Sequence, residues 1–149
     1  MIEGVQSAAA AVGVQIEVLT AGTDRDIDTA FESLVQKRVD GLLVGPFILF
    51  ANRQVQIVNL AARHAVPAIY FDRSFAEAGG LMSYGQLSYD DMARQGGIYV
   101  GRILNGEKPA DLPVMRPTRF ELVINLRTAK KIGVNVPRTL LVTAAEVIE

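Results

Sequence analysis

Helix-like and strand-like patterns alternate through the first half of the chain. Three segments carry apolar residues at helical spacing, and each is followed by a short run typical of a strand. In chain order these segments are 2–12, 14–19, 24–38, 41–45, 51–65 and 68–72. Such alternation with short connections predicts right-handed crossovers and a parallel sheet of the α/β class. With 149 residues the chain is long enough to bury a core of its own.

A glycine-rich stretch, Glu77–Gly85, separates this half from a less regular second half. It follows the last strand of the alternation and is open to two interpretations: an ordinary connecting loop, or a strand-like hinge that leaves the domain and lines a ligand cleft. Beyond it the patterns predict a helix at 88–105, an extended connector at 108–117, a strand at 120–126, helical turns at 128–132 and a final helical piece from 137 to 149.

Composition and motifs argue against several classes of function. The formal net charge is −1, and the basic residues of the C-terminal third lack interleaved aromatic residues, so no nucleic-acid partner is expected. The chain has no cysteine, which excludes disulfides and thiolate chemistry. His64 is the only histidine and has no second metal-ligand type at a useful spacing. Because no catalytic or phosphate-binding motif is present either, we expect no metal, no cofactor and no enzymatic activity.

Six segments together resemble one protein family. They are Gly-Leu-Leu-Val-Gly at 41–45, Ala-Ala-Arg-His-Ala-Val-Pro-Ala-Ile-Tyr at 61–70, Ala-Glu-Ala-Gly-Gly-Leu-Met-Ser-Tyr-Gly at 76–85, Gly-Arg-Ile-Leu-Asn-Gly-Glu-Lys-Pro-Ala-Asp-Leu-Pro at 101–113, Phe-Glu-Leu-Val-Ile-Asn-Leu at 120–126 and Thr-Ala-Lys-Lys-Ile-Gly at 128–133. These segments resemble the ABC-transporter substrate-binding proteins of the bacterial group that includes tryptophan- and tyrosine-type solute receptors. The resemblance covers essentially the whole chain and is most specific in the run Leu81–Gly85.

The resemblance implies the type I periplasmic binding fold, in which three crossover segments join two Rossmann-like lobes and the ligand lies between them. By this resemblance, residues 1–75 belong to the C-terminal lobe, 76–118 form a crossover and a helix of the N-terminal lobe, and 119–149 form the return crossover strand and C-terminal helices. A doubly wound unit normally begins with a strand, whereas this chain begins with a helix. We therefore expect an incomplete lobe, without its first strand and without the N-terminal lobe, that forms a homodimer or swaps elements to cover unpaired backbone groups.

Loops at the carboxyl ends of the strands are the predicted ligand site. The loop after the strand at 41–45 contributes Pro46, Phe47, Phe50 and Asn52, whose apolar and aromatic side chains suit an apolar or aromatic ligand or else pack under the next helix. Family members carry an Asp-Pro or similar polar pair near this position. This chain has Gly-Pro-Phe from Gly45, so it lacks that carboxylate for a ligand ammonium.

Two further loops complete the predicted site. Asp72 and Arg73, with Phe75 beside them, are placed to bind the ammonium and carboxylate ends of an amino acid, or else form a surface ion pair or a cap. Ser83 and Tyr84 offer hydroxyls and a ring to the ligand, or else belong to the structure of the hinge.

The leading interpretation is therefore a solute-binding component of an ABC transporter. It would hold a small molecule, such as an aromatic or apolar amino acid or a related acid, between two lobes and deliver it to an ABC permease. For the full-length protein, the resemblance implies a periplasmic or membrane-anchored extracytoplasmic location, although the first residues lack the pattern of a signal peptide. Two alternatives remain open at this point: the effector-binding domain of a transcription regulator with the same fold, and a small flavodoxin-like enzyme.

Overall fold

The computed structural model describes residues 2–86, 89–114 and 120–149, with no side-chain description for 86 and 89–92. The chain divides into two compact units, Met1–Lys37 and Arg38–Glu149. The elements in chain order are α1 (Ile2–Val12), α2 (Asp24–Lys37), β1 (Leu42–Leu43), α3 (Ile48–Asn52), α4 (Gln54–Arg63), β2 (Ala68–Tyr70), α5 (Arg73–Glu77), β3 (Met82–Gln86), α6 (Tyr89–Leu104), a 3-10 turn (Pro109–Asp111), β4 (Phe120–Asn125), α7 (Leu126–Ile132), α8 (Arg138–Thr143) and β5 (Glu146–Ile148).

The first unit contains the two predicted helices, α1 and α2. Helix α1 ends at Gly13, which has a φ of +71°, and the backbone N–H of Val14 donates to the carbonyl of Ala9 at 2.9 Å. This left-handed glycine closes the last turn, as the sequence predicts.

The predicted strand at 14–19 is wrong. Residues 14–20 lie in the described part of the chain and belong to no strand there, and Val14, Ile16 and Val18 are exposed. Alternating apolar and polar residues give a segment one apolar and one polar face in the extended conformation. A strand forms only where the backbone also hydrogen-bonds to a neighbouring strand. What holds the segment near α2 is an ion pair between Glu17 and Lys37.

Helix α2 begins with a reciprocal cap. The Thr23 hydroxyl accepts from the backbone N–H of Asp26 at 3.3 Å, and Asp26 Oδ2 accepts from the N–H groups of Thr23 at 2.8 Å and Gly22 at 3.0 Å. The hydrogen bonds from Thr23 and Gly22 hold the pKa of Asp26 below its ordinary value of 3.8.

The lowered pKa of Asp26 makes the stability of the first unit depend on pH. A carboxylate whose pKa is lower in the folded state stabilises above its unfolded pKa, and this stabilisation is lost as the pH falls through the folded pKa. We therefore expect the difference in unfolding free energy between the parent chain and Asp26→Asn to be constant at neutral pH and to shrink below about pH 4. Denaturant unfolding followed by circular dichroism from pH 7 downward measures it, and a difference that does not vary with pH would contradict this role.

The second unit is built on a sheet with the strand order β1-β2-β3-β4-β5. The predicted parallel arrangement is confirmed for β1, β2 and β3, while β4 is antiparallel to β3 and β5 is parallel to β4. In one row across the sheet, Tyr70 pairs with Ser83, Ser83 with Val123, and Val123 with Glu146. Paired residues point to the same face, so these four side chains share the face on which α5 packs.

Aromatic packing under α5 forms the centre of this unit. Tyr70 and Phe75 are each 1% exposed and stack with ring centroids 4.8 Å apart. Burial raises the pKa of the Tyr70 hydroxyl, which has no hydrogen-bond partner among the described residues. Beside it lies a cavity of about 10 Å³, lined in part by Val58, Gly80 and Thr128, which has room for about one water molecule. This cavity is too small to hold an organic ligand.

The glycine-rich stretch is strand-like, as one of its two interpretations predicts. Gly79 turns the chain with a φ of +103°, and Met82–Gln86 then forms β3, the middle strand of the sheet. Gly80 and Gly85 lie where a Cβ would stand 2.5 Å from Tyr70 Cε2 and 1.9 Å from the Phe71 carbonyl oxygen, respectively. Close approach of neighbouring groups therefore accounts for both glycines. Departure of this strand toward a second lobe remains a prediction.

Three short elements differ from the sequence-based expectations. The apolar loop after β1 contains the one-turn helix α3, and the loop after β2 contains α5. The final helical piece ends at Thr143, after which Glu146–Ile148 forms β5. The segment becomes a strand because its backbone hydrogen-bonds to the edge of β4. This pairing depends on β4 and cannot be predicted from the residues of the segment alone.

The remaining predicted elements are confirmed within a few residues. Helix α6 covers Tyr89–Leu104, β4 covers Phe120–Asn125 and α7 covers Leu126–Ile132. The connector predicted to be extended instead contains a 3-10 turn at Pro109–Asp111, and the Tyr99 hydroxyl donates to the carbonyl of Pro113. The predicted cap at position 88 and the connector at 115–117 lie outside the described residues. Within the described part of the chain, no helix has both the length and the apolar character that crossing a membrane requires.

Candidate functional site

The carboxyl ends of β1, β2 and β3 lie along one edge of the sheet, because these strands are parallel. The segments that leave β1 and β2 carry all the predicted site residues except Ser83 and Tyr84, which lie within β3 itself. Ligands of open α/β sheets bind in the crevice beyond this edge. The topology therefore brings two of the predicted loops to the same edge, whereas the third, at Ser83 and Tyr84, is part of strand β3.

The segment after β1 presents an exposed aromatic surface. Phe47 is 60% exposed and Ile48 is 73% exposed, while Phe50 is half-buried. The rings of Phe47 and Phe50 lie 6.0 Å apart at 47°, a tilted pair. Pro46 and Asn52, at the two ends of this segment, are exposed. The alternative that Phe47 packs under a helix does not match its exposure.

Asp72, after β2, acts as the N-cap of α5. Its Oδ1 accepts from the backbone N–H of Ser74 at 2.9 Å and from the Ser74 hydroxyl at 2.5 Å. An aspartate in this position satisfies a helix donor that otherwise has no intrahelical partner. The side chain is half-buried, so it remains within reach of the edge.

Arg73 is engaged by two carboxylates. Its Nε donates to Glu77 Oε1 at 2.8 Å, and its Nη2 donates to Glu146 Oε2 at 2.7 Å. The hydrogen bond to Glu77, together with the charge of Glu146, raises the pKa of Arg73 above its ordinary value. Arg73 thus forms the surface ion pair that was the alternative to ligand binding. Its pair with Glu146 links α5 to β5.

Phe75 and Ser83 lie beneath the edge. Phe75 is 1% exposed and packs between Tyr70 and Phe71, whose ring it meets at 5.2 Å in an edge-to-face contact. Ser83 is also 1% exposed, on the α5 face of β3, and its hydroxyl has no partner among the described residues. Both residues support the edge from the core, because their side chains do not reach its surface.

Tyr84 points to the opposite face of β3 and is 54% exposed. Its ring stacks on Phe120 with centroids 5.6 Å apart and an interplanar angle of 19°. Phe120 is 50% exposed and is a candidate that the sequence analysis missed. The antiparallel register places Phe120 opposite position 86 and diagonally beside Tyr84. The sequence feature that could have identified Phe120 is its position at the start of the strand predicted to return beside the hinge.

The arrangement suits binding of an apolar or aromatic molecule through ring contacts, with few polar groups for orientation. Among the described residues, no cluster of three or more metal-ligating side chains is present. His64 follows α4 as its C-cap and is exposed.

Known proteins share both the sequence pattern and the fold. The profile of a family described as "ABC transporter substrate binding protein" matches residues 1–148. Among curated proteins, no sequence matches the chain.

Solved structures from three organisms are similar to the chain. A conserved domain protein from Vibrio cholerae O1 biovar El Tor is 25% identical with a TM-score of 0.88, over 98% of this chain and 49% of that one. An ABC domain in complex with L-Trp from Streptococcus pneumoniae is 25% identical with a TM-score of 0.87, over 99% of this chain and 50% of that one. A ligand-free, open substrate binding protein with adhesive properties from Clostridium difficile is 23% identical with a TM-score of 0.67, over 99% and 48%, and supports the fold alone.

The chain thus spans about half the length of the solved structures it matches. The type I periplasmic binding fold implied by the resemblance is confirmed for this portion. Since the family profile covers residues 1–148, the chain belongs to the ABC transporter substrate binding protein family.

Proposed function

We propose that the chain is the ligand-binding C-terminal portion of a solute receptor that serves an ABC transporter. The ligand is a small molecule with an aromatic or apolar part, held at the carboxyl edge of β1, β2 and β3. In the full-length protein the site lies between two lobes, and ligand binding favours their closed arrangement. The receptor then delivers the ligand to an ABC permease from a periplasmic or membrane-anchored extracytoplasmic position.

The observation that carries this proposal is the exposed aromatic surface after β1. Phe47, at 60% exposure, and Ile48, at 73%, project from a short segment where ligands of such sheets bind. Exposed large apolar side chains that cluster in one place mark an interaction site. The L-Trp complex of the Streptococcus pneumoniae relative, with a TM-score of 0.87, supports an aromatic ligand.

The ligand-contacting set we propose comprises the exposed and half-buried members of the edge. They are Pro46, Phe47, Phe50, Asn52, Asp72 and Tyr84, with Phe120 added from the structure. Arg73, Phe75 and Ser83 have supporting positions: Arg73 holds two carboxylates, and the other two are buried.

We also propose that α6 belongs to the opposite lobe, as the predicted division at 75/76 and 118/119 implies. Val100 is 56% exposed and Leu104 is 81% exposed on this helix. A Cβ added at Gly96, Gly97 or Gly101 would meet nothing within 4 Å. Glycines within a helix cost about 1 kcal/mol each relative to alanine, a cost that close packing against another surface offsets.

Phe47→Ala is expected to weaken binding of an aromatic ligand at least about tenfold, because about 1.4 kcal/mol of ring contact is lost. The measurement is ligand-observed NMR titration of the 149-residue chain with L-tryptophan, L-leucine and phenylacetate, since NMR detects weak binding to one face. Phe47→Leu should lose less affinity than Phe47→Ala, because it retains apolar area.

Val12→Ala is the matched control for Phe47→Ala. Val12 is 74% exposed at the end of α1, so its replacement also removes exposed apolar surface, though a smaller area, outside the predicted loops. Unfolding midpoints of all variants should stay close to that of the parent chain. Equal affinities for the parent chain and Phe47→Ala would remove this segment from the site.

A further inference from the structure

The two charged side chains that follow β2 differ in what they can still bind. Both hydrogen bonds of the α5 cap go to Oδ1 of Asp72, which leaves Oδ2 outside the cap. A carboxylate has about four acceptor positions, so an oxygen outside the cap can accept from a ligand. Since Asp72 is half-buried at the sheet edge, that acceptor lies where the ligand is expected.

Arg73 is already paired with two carboxylates. Its guanidinium is bound at 2.8 Å by Glu77 and at 2.7 Å by Glu146. A ligand carboxylate that reached the remaining N–H groups of this guanidinium would lie close to Glu77 and Glu146. Carboxylates that share a site repel one another, so the two carboxylates already present disfavour a third.

The balance of charge around this point is negative. Asp72, Glu77 and Glu146 outnumber the one guanidinium among them. Arg53, which follows the aromatic segment, has an interaction of its own within the chain. A ligand cation is therefore favoured here over a ligand anion.

Aromatic rings at the same edge favour the same charge. The faces of phenyl and phenol rings carry negative electrostatic potential and attract cations such as ammonium groups. Phe47 and Tyr84 are 60% and 54% exposed, so their rings are accessible to a ligand. The aromatic rings and the carboxylates thus both favour a positively charged ligand group.

We propose, on the basis of the proposed function, that this edge selects an aromatic ligand with a protonated amine, whose ammonium donates to Asp72. A ligand carboxylate is not bound by Arg73. The chain's portion of the site thus recognises the ring and the amine of its ligand.

A set of three small probes with the same ring tests this selectivity: phenethylamine, 2-phenylethanol and phenylacetate. NMR titration of the 149-residue chain at low ionic strength is expected to show phenethylamine binding at least about tenfold more tightly than phenylacetate, with 2-phenylethanol between them. Added salt should reduce the preference for the amine.

Two variants assign the effect to residues. Asp72→Asn retains a good helix cap, so the fold should survive, and it should reduce phenethylamine affinity to the level of 2-phenylethanol. Arg73→Gln should leave phenylacetate affinity unchanged. Its unfolding curve serves as a control for the lost ion pairs.

The outcomes separate this inference from the proposed function. Tighter binding of phenylacetate than of phenethylamine, or a selective loss of phenylacetate affinity in Arg73→Gln, would overturn the inference and leave an aromatic site standing. Equal loss of all three probes in Asp72→Asn with an unchanged unfolding curve would also overturn it, since charge would not be involved. Absence of binding by all three probes to the folded chain would overturn both proposals.

Discussion

Replacing Gly85 by alanine is expected to lower the free energy of unfolding by about 3 kcal/mol, the upper end of the usual cost of overpacking. A Cβ at this position would stand 1.9 Å from the carbonyl oxygen of Phe71 and 2.9 Å from its carbonyl carbon. Both are backbone atoms, so no side-chain rotation relieves the clash. Either β3 or the exit of β2 must move, and hydrogen bonds of the central strand weaken. Urea unfolding followed by circular dichroism measures the loss.

Gly96→Ala in α6 is the matched control for Gly85→Ala. A Cβ there would meet nothing within 4 Å, and the residue lies in a helix, so alanine should stabilise by up to about 1 kcal/mol. The two substitutions add the same methyl group and are expected to have opposite effects. A Gly85→Ala chain as stable as its parent would show that β3 does not approach Phe71 as closely as described.

Phe75→Ala is expected to cost about 3–5 kcal/mol, the usual range for removing a buried aromatic ring. Phe75 is 1% exposed and contacts Tyr70 at 4.8 Å and Phe71 at 5.2 Å between ring centroids. Its loss leaves a cavity beneath α5 that the paired strands cannot close. Thermal and urea unfolding should both show a large shift.

The variant Phe75→Leu tests whether Phe75 only supports the sheet edge from the core or also contacts the ligand. Leucine fills much of the same space, so most of the chain should remain folded under native conditions. If Phe75 only supports the edge, ligand affinity of the folded fraction should stay near that of the parent chain. A selective loss of aromatic-ligand affinity in Phe75→Leu, with little change in stability, would instead make Phe75 a ligand contact.

Periodicity predicted the longer elements well, since each has a face that burial selects. Helix α1 begins and ends at the predicted residues, and α2 has Ile27, Phe31 and Leu34 buried at helical spacing. The parallel order of β1, β2 and β3 follows from their alternation with helices.

Elements that depend on neighbours were missed. The segment at 14–19 has the alternation of a strand but no ladder, whereas Glu146–Ile148 pairs with β4 despite a weak signal of its own. Strand pairing depends on two segments, whereas the periodicity of a sequence describes only one of them. Helix α5 was also missed: a cap was one of the two interpretations of Asp72, but a helix of only five residues after it is too short to show a periodic apolar face.

The sequence predicted the position of the candidate-site segments in the fold better than it predicted the exposure of each residue. Phe47 and Tyr84 are exposed at the expected edge, whereas Phe75 and Ser83 are in the core. Residue type does not distinguish these cases, because an aromatic ring suits a ligand pocket and a hydrophobic core equally. The direction of each side chain depends on α5 and on the strand register.

The antiparallel pair β3–β4 has a mechanical consequence. The chain leaves the sheet along β3, forms α6 and the turn at Pro109–Asp111, and re-enters along β4, with pairing from Met82–Ile124 to Gln86–Phe120. Everything between these strands is thus attached to the sheet by a two-stranded ribbon. Such a ribbon bends readily across its flat face and resists shearing along its length, since shear would break its hydrogen bonds together. The stacked rings of Tyr84 and Phe120 lie on that ribbon. A ligand that contacts these rings would therefore also affect how the ribbon bends.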